Sequence, residues 1–177
     1  VSVDHPDPAE HDRLRGAPGA FARAHNCVRR ARAAGFYTMI GTVATRAHIE
    51  DNLLTRLYDL ARAWRAHEVR IVEPMPCGLL HDADAGTLLT PAQVDAVRAF
   101  HVAINRAGRL PKVCAFNQIE SPELFGCGGG TQHLYIDSAG AVCPCDFTPM
   151  SFGNVSTTPL AQIWARMSTA MHAPRRH

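Results

Sequence analysis

Cys127, Cys143 and Cys145 are the residues whose spacing says most about chemistry. Gly140 lies between them, and Ser138-Ala139-Gly140 reads as the turn of a hairpin that runs from His133 to Asp137 and returns from Ala141 to Cys145. The turn folds the chain back, so Cys143 and Cys145 approach the loop that carries Cys127. Thiolates converging from a loop and a hairpin suit a metal ion or an iron–sulfur cluster. Cys143 and Cys145 are two apart and share one face of a regular strand. Pro144 between them has no N–H and favours an edge strand or bulge, which leaves the sulfurs room to turn. A zinc module with Cys127, His133, Cys143 and Cys145 as ligands is one alternative, since His133 is close in sequence. A metal-free α/β binding domain with inert, reduced cysteines is another.

Composition narrows the setting. The 177 residues hold one sizeable domain, or a domain with a small appendage. A net charge of +2 gives no electrostatic case for nucleic acid or a membrane surface. No apolar run approaches the roughly 20 residues of a spanning helix, and no basic-then-apolar leader opens the chain. The expected location is therefore the cytoplasm, where six cysteines point to metal or redox chemistry rather than disulfides. The ten histidines are scattered; His5, His11, His25, His48, His67 and His81 show no ligand spacing and read as surface or packing residues. Val1-Ser2-Val3-Asp4 reads as the end of a buried strand, and Ala173-Pro174-Arg175-Arg176-His177 stops just past a helix, so a longer parent protein is expected.

The elements that must position these groups follow from periodicity. Phe21, Ala24, Cys27, Val28 and Ala31 have helical spacing over residues 20–34, with Cys27 placed on the apolar face and Gly35 as a stop. Residues 37–45 read as a buried strand, 49–66 as one amphipathic helix through Leu53, Leu57, Leu60, Ala61 and Trp64, and 68–73 as a short strand. Thr90-Pro91 opens a further helix that Gly108 ends. A last helix starts at Thr158-Pro159, with Leu160, Ile163, Trp164 and Met167 on its apolar face. Strands separated by single helices must be parallel neighbours joined by right-handed crossovers. An open doubly wound sheet and a (βα) barrel both fit that order. A change of character near residues 108–113 predicts two domains, 1–110 and 111–177.

Phe125-Gly126-Cys127-Gly128-Gly129-Gly130, the run from Tyr135 to Phe147, Phe152-Gly153-Asn154-Val155 and Ile163-Trp164 together resemble the SPASM/twitch domain that follows the barrel in many radical S-adenosylmethionine enzymes. Its hallmark is a Cys, a spacer, Gly-x4-Cys, a Gly-Asn pair and a helix with Trp; Cys127, Gly140, Cys145, Gly153-Asn154 and Trp164 match in order. The front half resembles the fourth barrel strand and its helix in the same enzymes, through Ser2-Val3-Asp4, His11 to Gly16 and Gly19-Ala20-Phe21. The resemblance implies an α/β fold: the C-terminal half of a partial parallel (βα) barrel, then a small Cys-rich hairpin-plus-helix domain.

The resemblance also implies sites and activity. Ser2 and Asp4 would sit at the ribose-facing end of strand four, and Arg23, or less directly Arg15, would meet the methionine carboxylate. Cys127 and Cys145, with Cys143 as a third or substitute thiolate, would hold an auxiliary 4Fe–4S cluster. The parent would cleave S-adenosylmethionine reductively, take its electron from a flavodoxin or ferredoxin, and abstract hydrogen from a peptide or protein substrate. The family's Cys-x3-Cys-x2-Cys loop does not occur in these residues and is expected upstream of Val1, so the chain alone would be inactive.

Overall fold

The computed structural model describes residues 1–82, 86–121 and 124–171. They fall into two compact units: Val1–Pro74 with Ala83–Gln118, and Met75–Asp82 with Ile119–His177. In chain order, α1 (Pro8–Arg15) and α2 (Ala20–Ala33) precede β1 (Met39–Val43). Next, α3 (Arg46–Glu50) and α4 (Leu53–Ala63) lead to β2 (Glu68–Val72), and α5 (Pro91–Arg106) leads to β3 (Lys112–Ala115). The short α6 (Phe116–Ile119), β4 (Tyr135–Ile136), β5 (Val142–Cys143) and α7 (Leu160–Ala170) follow.

The first unit is built on a parallel sheet in the order β1-β2-β3, with Ile40 beside Val69 and Val69 beside Val113. Residues 1–3 extend it on the β1 side: Val3 N–H donates to the Gly41 carbonyl at 2.9 Å, and Gly41 N–H to the Val1 carbonyl at 2.8 Å. Ile40, Val69, Ile71, Val113 and Ala115 point one way, into a core completed by Val28 of α2, Leu57 and Ala61 of α4 and Val97 of α5. The strands are buried on that face only. Along β2, Glu68, Arg70 and Val72 alternate onto a half-exposed face, as the period of two requires.

Several elements differ from expectation for identifiable reasons. The helix expected over 49–66 is two helices, because Asn52 adopts the left-handed conformation at φ 54° and restarts the chain as the cap of α4. α3 begins earlier because Thr45 and His48 cap its first turn reciprocally. β3 lies where the sequence changes character, and its pairing with β2 places it in the first unit, which ends at Gln118. Cys27 is exposed rather than apolar-facing, since one residue turns a helix by about 100° and Val28 takes the buried position. Leu160 is exposed as well; Ile163 and Met167 alone form the fully buried stripe of α7.

In the second unit β4 and β5 pair antiparallel, Tyr135 with Cys143 and Ile136 with Val142. The turn is closed by Asp137, whose carboxylate accepts the N–H groups of Ala139 at 2.9 Å and Ala141 at 2.8 Å. Val142 packs with Ile163 and Met167 into a small separate core. Among the described residues, no helix is long and apolar enough to cross a membrane.

Candidate functional site

The carboxyl ends of residues 1–3, β1 and β2 open onto a cavity of about 780 Å³. Parallel α/β sheets bind ligands at that end of their strands, and the volume is ordinary for a cofactor-sized molecule. Ser2, Asp4, Arg15, Thr42, His48 and Arg70 are among its lining residues. Ser2 and Asp4 reach it because the 1–3 segment ends there, and Arg15 because α1 packs back over the strand ends. Arg23 is not brought to the cavity. It projects from α2, donates to the Pro18 carbonyl at 2.9 Å, and lines a separate surface cleft with Cys27, Arg30 and Phe36. The physical reason is the α1–α2 turn, where the Asp12 carboxylate accepts the N–H groups of Gly19 at 2.5 Å and Phe21 at 2.8 Å and starts α2 in its own direction. These bonds, that of Phe21 above all, hold the Asp12 carboxyl below its usual range.

Asp4 is held at three points. Its carboxylate pairs with the Arg15 Nε at 2.8 Å, its N–H donates to His11 Nδ1 at 3.2 Å, and its carbonyl accepts from His48 Nε2 at 3.0 Å. The Thr45 N–H at 3.2 Å and hydroxyl at 2.8 Å occupy His48 Nδ1, which leaves the proton on Nε2. Both rings are buried, His11 at 1% exposure and His48 at 4%. Burial lowers the pKa of each, against the opposing pull of Asp4. Sequence reading passed over both histidines. The signal available was His11 and Arg15 one helical turn apart, which puts them on one face of α1 toward the same residue.

His101 is a third such ring: its Nδ1 accepts the Ala115 N–H at 3.0 Å, and burial lowers its pKa. Three histidines with folded-state values below the ordinary 6.5 mean that the unfolded chain binds more protons in acid. Their contribution to stability is complete above pH 6.5 and is lost as the pH falls from there through the folded-state values. Urea midpoints measured from pH 7.5 down to 5 should decline, and the decline should shrink in a His11→Gln, His48→Gln, His101→Gln variant.

In the second unit Cys127 is exposed and Cys145 half-buried, with the Cys145 Sγ 3.2 Å from the Thr148 hydroxyl. Gly128, Gly129 and Gly130 are buried between the two cysteine-bearing segments. Gly130 N–H donates to the His133 carbonyl at 2.9 Å and the Pro144 carbonyl at 3.2 Å. A Cβ on Gly129 would lie 3.4 Å from the Pro144 oxygen and 3.5 Å from the Cys127 Sγ, so this glycine marks where the Cys127 loop meets the Cys-Pro-Cys turn. Cys143 is different: it is buried on β5, and burial pushes its thiol pKa up. Exposed Cys127 and half-buried Cys145 carry thiol donors of the kind that suit a soft metal cluster, and Cys143 carries a third, buried thiol. Among the described residues no three His, Cys, Asp or Glu side chains converge as a metal site. His133 is exposed and contributes its backbone carbonyl to the loop.

Gly140 and Asn154 fasten this turn. The Asn154 Nδ2 donates to the Ala139 carbonyl at 2.8 Å, and Val155 N–H donates to the Gly140 carbonyl at 2.9 Å. Gly140 has φ +83°, and a Cβ there would stand 2.9 Å from the Asn154 Oδ1. Gly140→Ala should therefore destabilise the second unit by about 1 kcal/mol or more, read as a lower thermal midpoint.

Comparison with known proteins agrees with this anatomy. SPASM, an iron–sulfur cluster-binding domain, matches residues 127–176. The AdoMet-dependent heme synthase of Methanosarcina barkeri is 26% identical, over 93% of this chain and 52% of its own length. That of Nitratidesulfovibrio vulgaris is also 26% identical, over 94% and 50%. The chain thus spans about half the length of the curated relatives it matches. Streptococcus suis SuiB bound to precursor peptide SuiA superposes with a TM-score of 0.70 at 13% identity, over 93% of this chain and 41% of that one. SuiB bound to S-adenosylmethionine gives 0.65 at the same identity. Residues 127–176 match the SPASM iron–sulfur cluster-binding domain, and the chain that carries them resembles the C-terminal portion of a radical S-adenosylmethionine enzyme.

Proposed function

We propose that this chain is part of an enzyme that reductively cleaves S-adenosylmethionine and abstracts hydrogen from a peptide or protein. The parallel sheet is read as the back half of its barrel, and the second unit as its auxiliary cluster domain. The observation that carries the reading is the cavity at the strand ends. There Arg15 spends its Nε on Asp4, while its remaining guanidinium N–H groups have no protein partner among the described residues. A guanidinium fork anchored at one edge and open at the other suits a carboxylate, such as that of the methionine moiety. Ser2 lines the same cavity with a hydroxyl that has no partner among the described residues, and it would bond the ribose. Arg15 replaces Arg23 in this role.

Cys127 and Cys145 would be two ligands of the auxiliary cluster, with the buried glycine loop that follows Cys127 lying against the Pro144 carbonyl. When bound, the clusters would supply one-electron chemistry, fed by a flavodoxin or ferredoxin. A peptide substrate is supported by the likeness to SuiB in complex with its precursor peptide. A haem precursor is a second reading, favoured by the higher identity to the heme synthases.

The test is anaerobic reconstitution of the full-length protein with S-adenosylmethionine and a chemical reductant. A brown protein that forms 5′-deoxyadenosine is expected. A colourless zinc protein without turnover would overturn the reading. Acceleration by a haem precursor and not by peptides would select the second substrate.

A further inference from the structure

Asp4 was expected to face the cofactor, yet its N–H, carbonyl and carboxylate are all engaged by protein: His11, His48 and Arg15. We propose that Asp4 is the anchor that aims Arg15, and that His11 and His48 are positioning residues which fix this anchor for recognition of the ligand's carboxylate. The inference rests on the cavity being the S-adenosylmethionine site.

The geometry allows little else. Asp4 follows the residues that pair with β1, and it sits where the chain leaves the sheet, so the ladder no longer fixes its peptide. His11 Nδ1 on α1 accepts its N–H, and the His48 Nε2–H on α3 donates to its carbonyl. Together they bolt the strand end to two helices. With the peptide fixed, the direction in which the Asp4 side chain leaves the backbone is fixed, and its carboxylate then meets the Arg15 Nε at 2.8 Å. His11 and Arg15 lie one turn apart on α1, so one helix grips both the backbone and the side chain of Asp4.

Neither ring has another assignment. His48 lines the cavity but spends both nitrogens on protein, and His11 is 1% exposed. Ligation and proton transfer are poorly served by rings so committed; holding a peptide in place is well served.

The test compares two ligands on the anaerobically reconstituted full-length protein by titration calorimetry. S-adenosylhomocysteine carries the amino-acid carboxylate, and 5′-methylthioadenosine lacks it. His11→Ala and His48→Ala should each weaken S-adenosylhomocysteine about five- to tenfold and leave 5′-methylthioadenosine within about twofold. Neither change should add to the loss already caused by Arg15→Ala, since all act through one group. His48→Gln, which keeps an N–H donor, should recover most of the affinity. Equal loss of both ligands, or full additivity with Arg15→Ala, would overturn the positioning role. Wild-type protein that binds neither ligand would overturn the cavity assignment and the inference with it. Nitrogen NMR of the two rings separates these failures: neutral His11 and His48 with the proton on Nε2 would show that the Asp4 clamp exists without serving this ligand.

Discussion

Cys127→Ala should strip the auxiliary cluster from the reconstituted protein, with iron and sulfide falling to the level of Cys145→Ala. Cys127 is exposed and opens the buried Gly128–Gly130 loop, Cys145 is half-buried, and removal of one thiolate leaves too few protein ligands for a cluster held by cysteines. Cys143→Ala should keep its iron and instead lose about 1 kcal/mol of stability, because a buried side chain on β5 is being truncated. Cys27→Ala, an exposed change on α2, should alter neither quantity. Iron and sulfide assays beside thermal melts separate these outcomes. Full loading in Cys127→Ala would remove the loop from the ligand set.

Arg15→Ala should weaken S-adenosylmethionine binding by about ten- to a hundredfold, the range for a charged hydrogen bond of about 1.5–3 kcal/mol. The side chain is partly exposed and its loss opens no core, so circular dichroism should stay unchanged. Arg23→Ala is the matched control: the residue has the same charge, lies in the following helix, faces a different cleft and should bind as wild type. Calorimetry on the full-length protein reads both. If Arg23→Ala is the damaging change, α1 does not supply the carboxylate contact.

Much of the architecture was legible because it rests on local chemistry. The 3.6-residue stripe of α4 at Leu53, Leu57 and Ala61, the Thr90-Pro91 cap of α5 and the Asp137 to Gly140 turn are each written in a few adjacent residues. The tail was the most legible part, since Cys127, Gly140, Cys145, Gly153-Asn154 and Trp164 are fixed by one compact arrangement. Gly140 and Asn154 must meet to close the turn, and the Gly128–Gly130 loop must be bare to lie against Pro144. A spacing pattern carries such constraints directly.

Tertiary structure alone decided which polar residues meet. Arg15 and Arg23 are equally basic and similarly placed in the sequence, but the Asp12 bonds to Gly19 and Phe21 turn α2 away and leave Arg15 over the cavity. His11 and His48 are 37 positions apart and look unrelated, yet parallel pairing of residues 1–3 with β1 brings Asp4 between them. β3 is short and has no amphipathic signature, so its place beside β2 became visible only through the ladder. Periodicity reports which face of an element is buried, whereas contacts between distant polar groups depend on how the elements cross, and that geometry is set by the packed core.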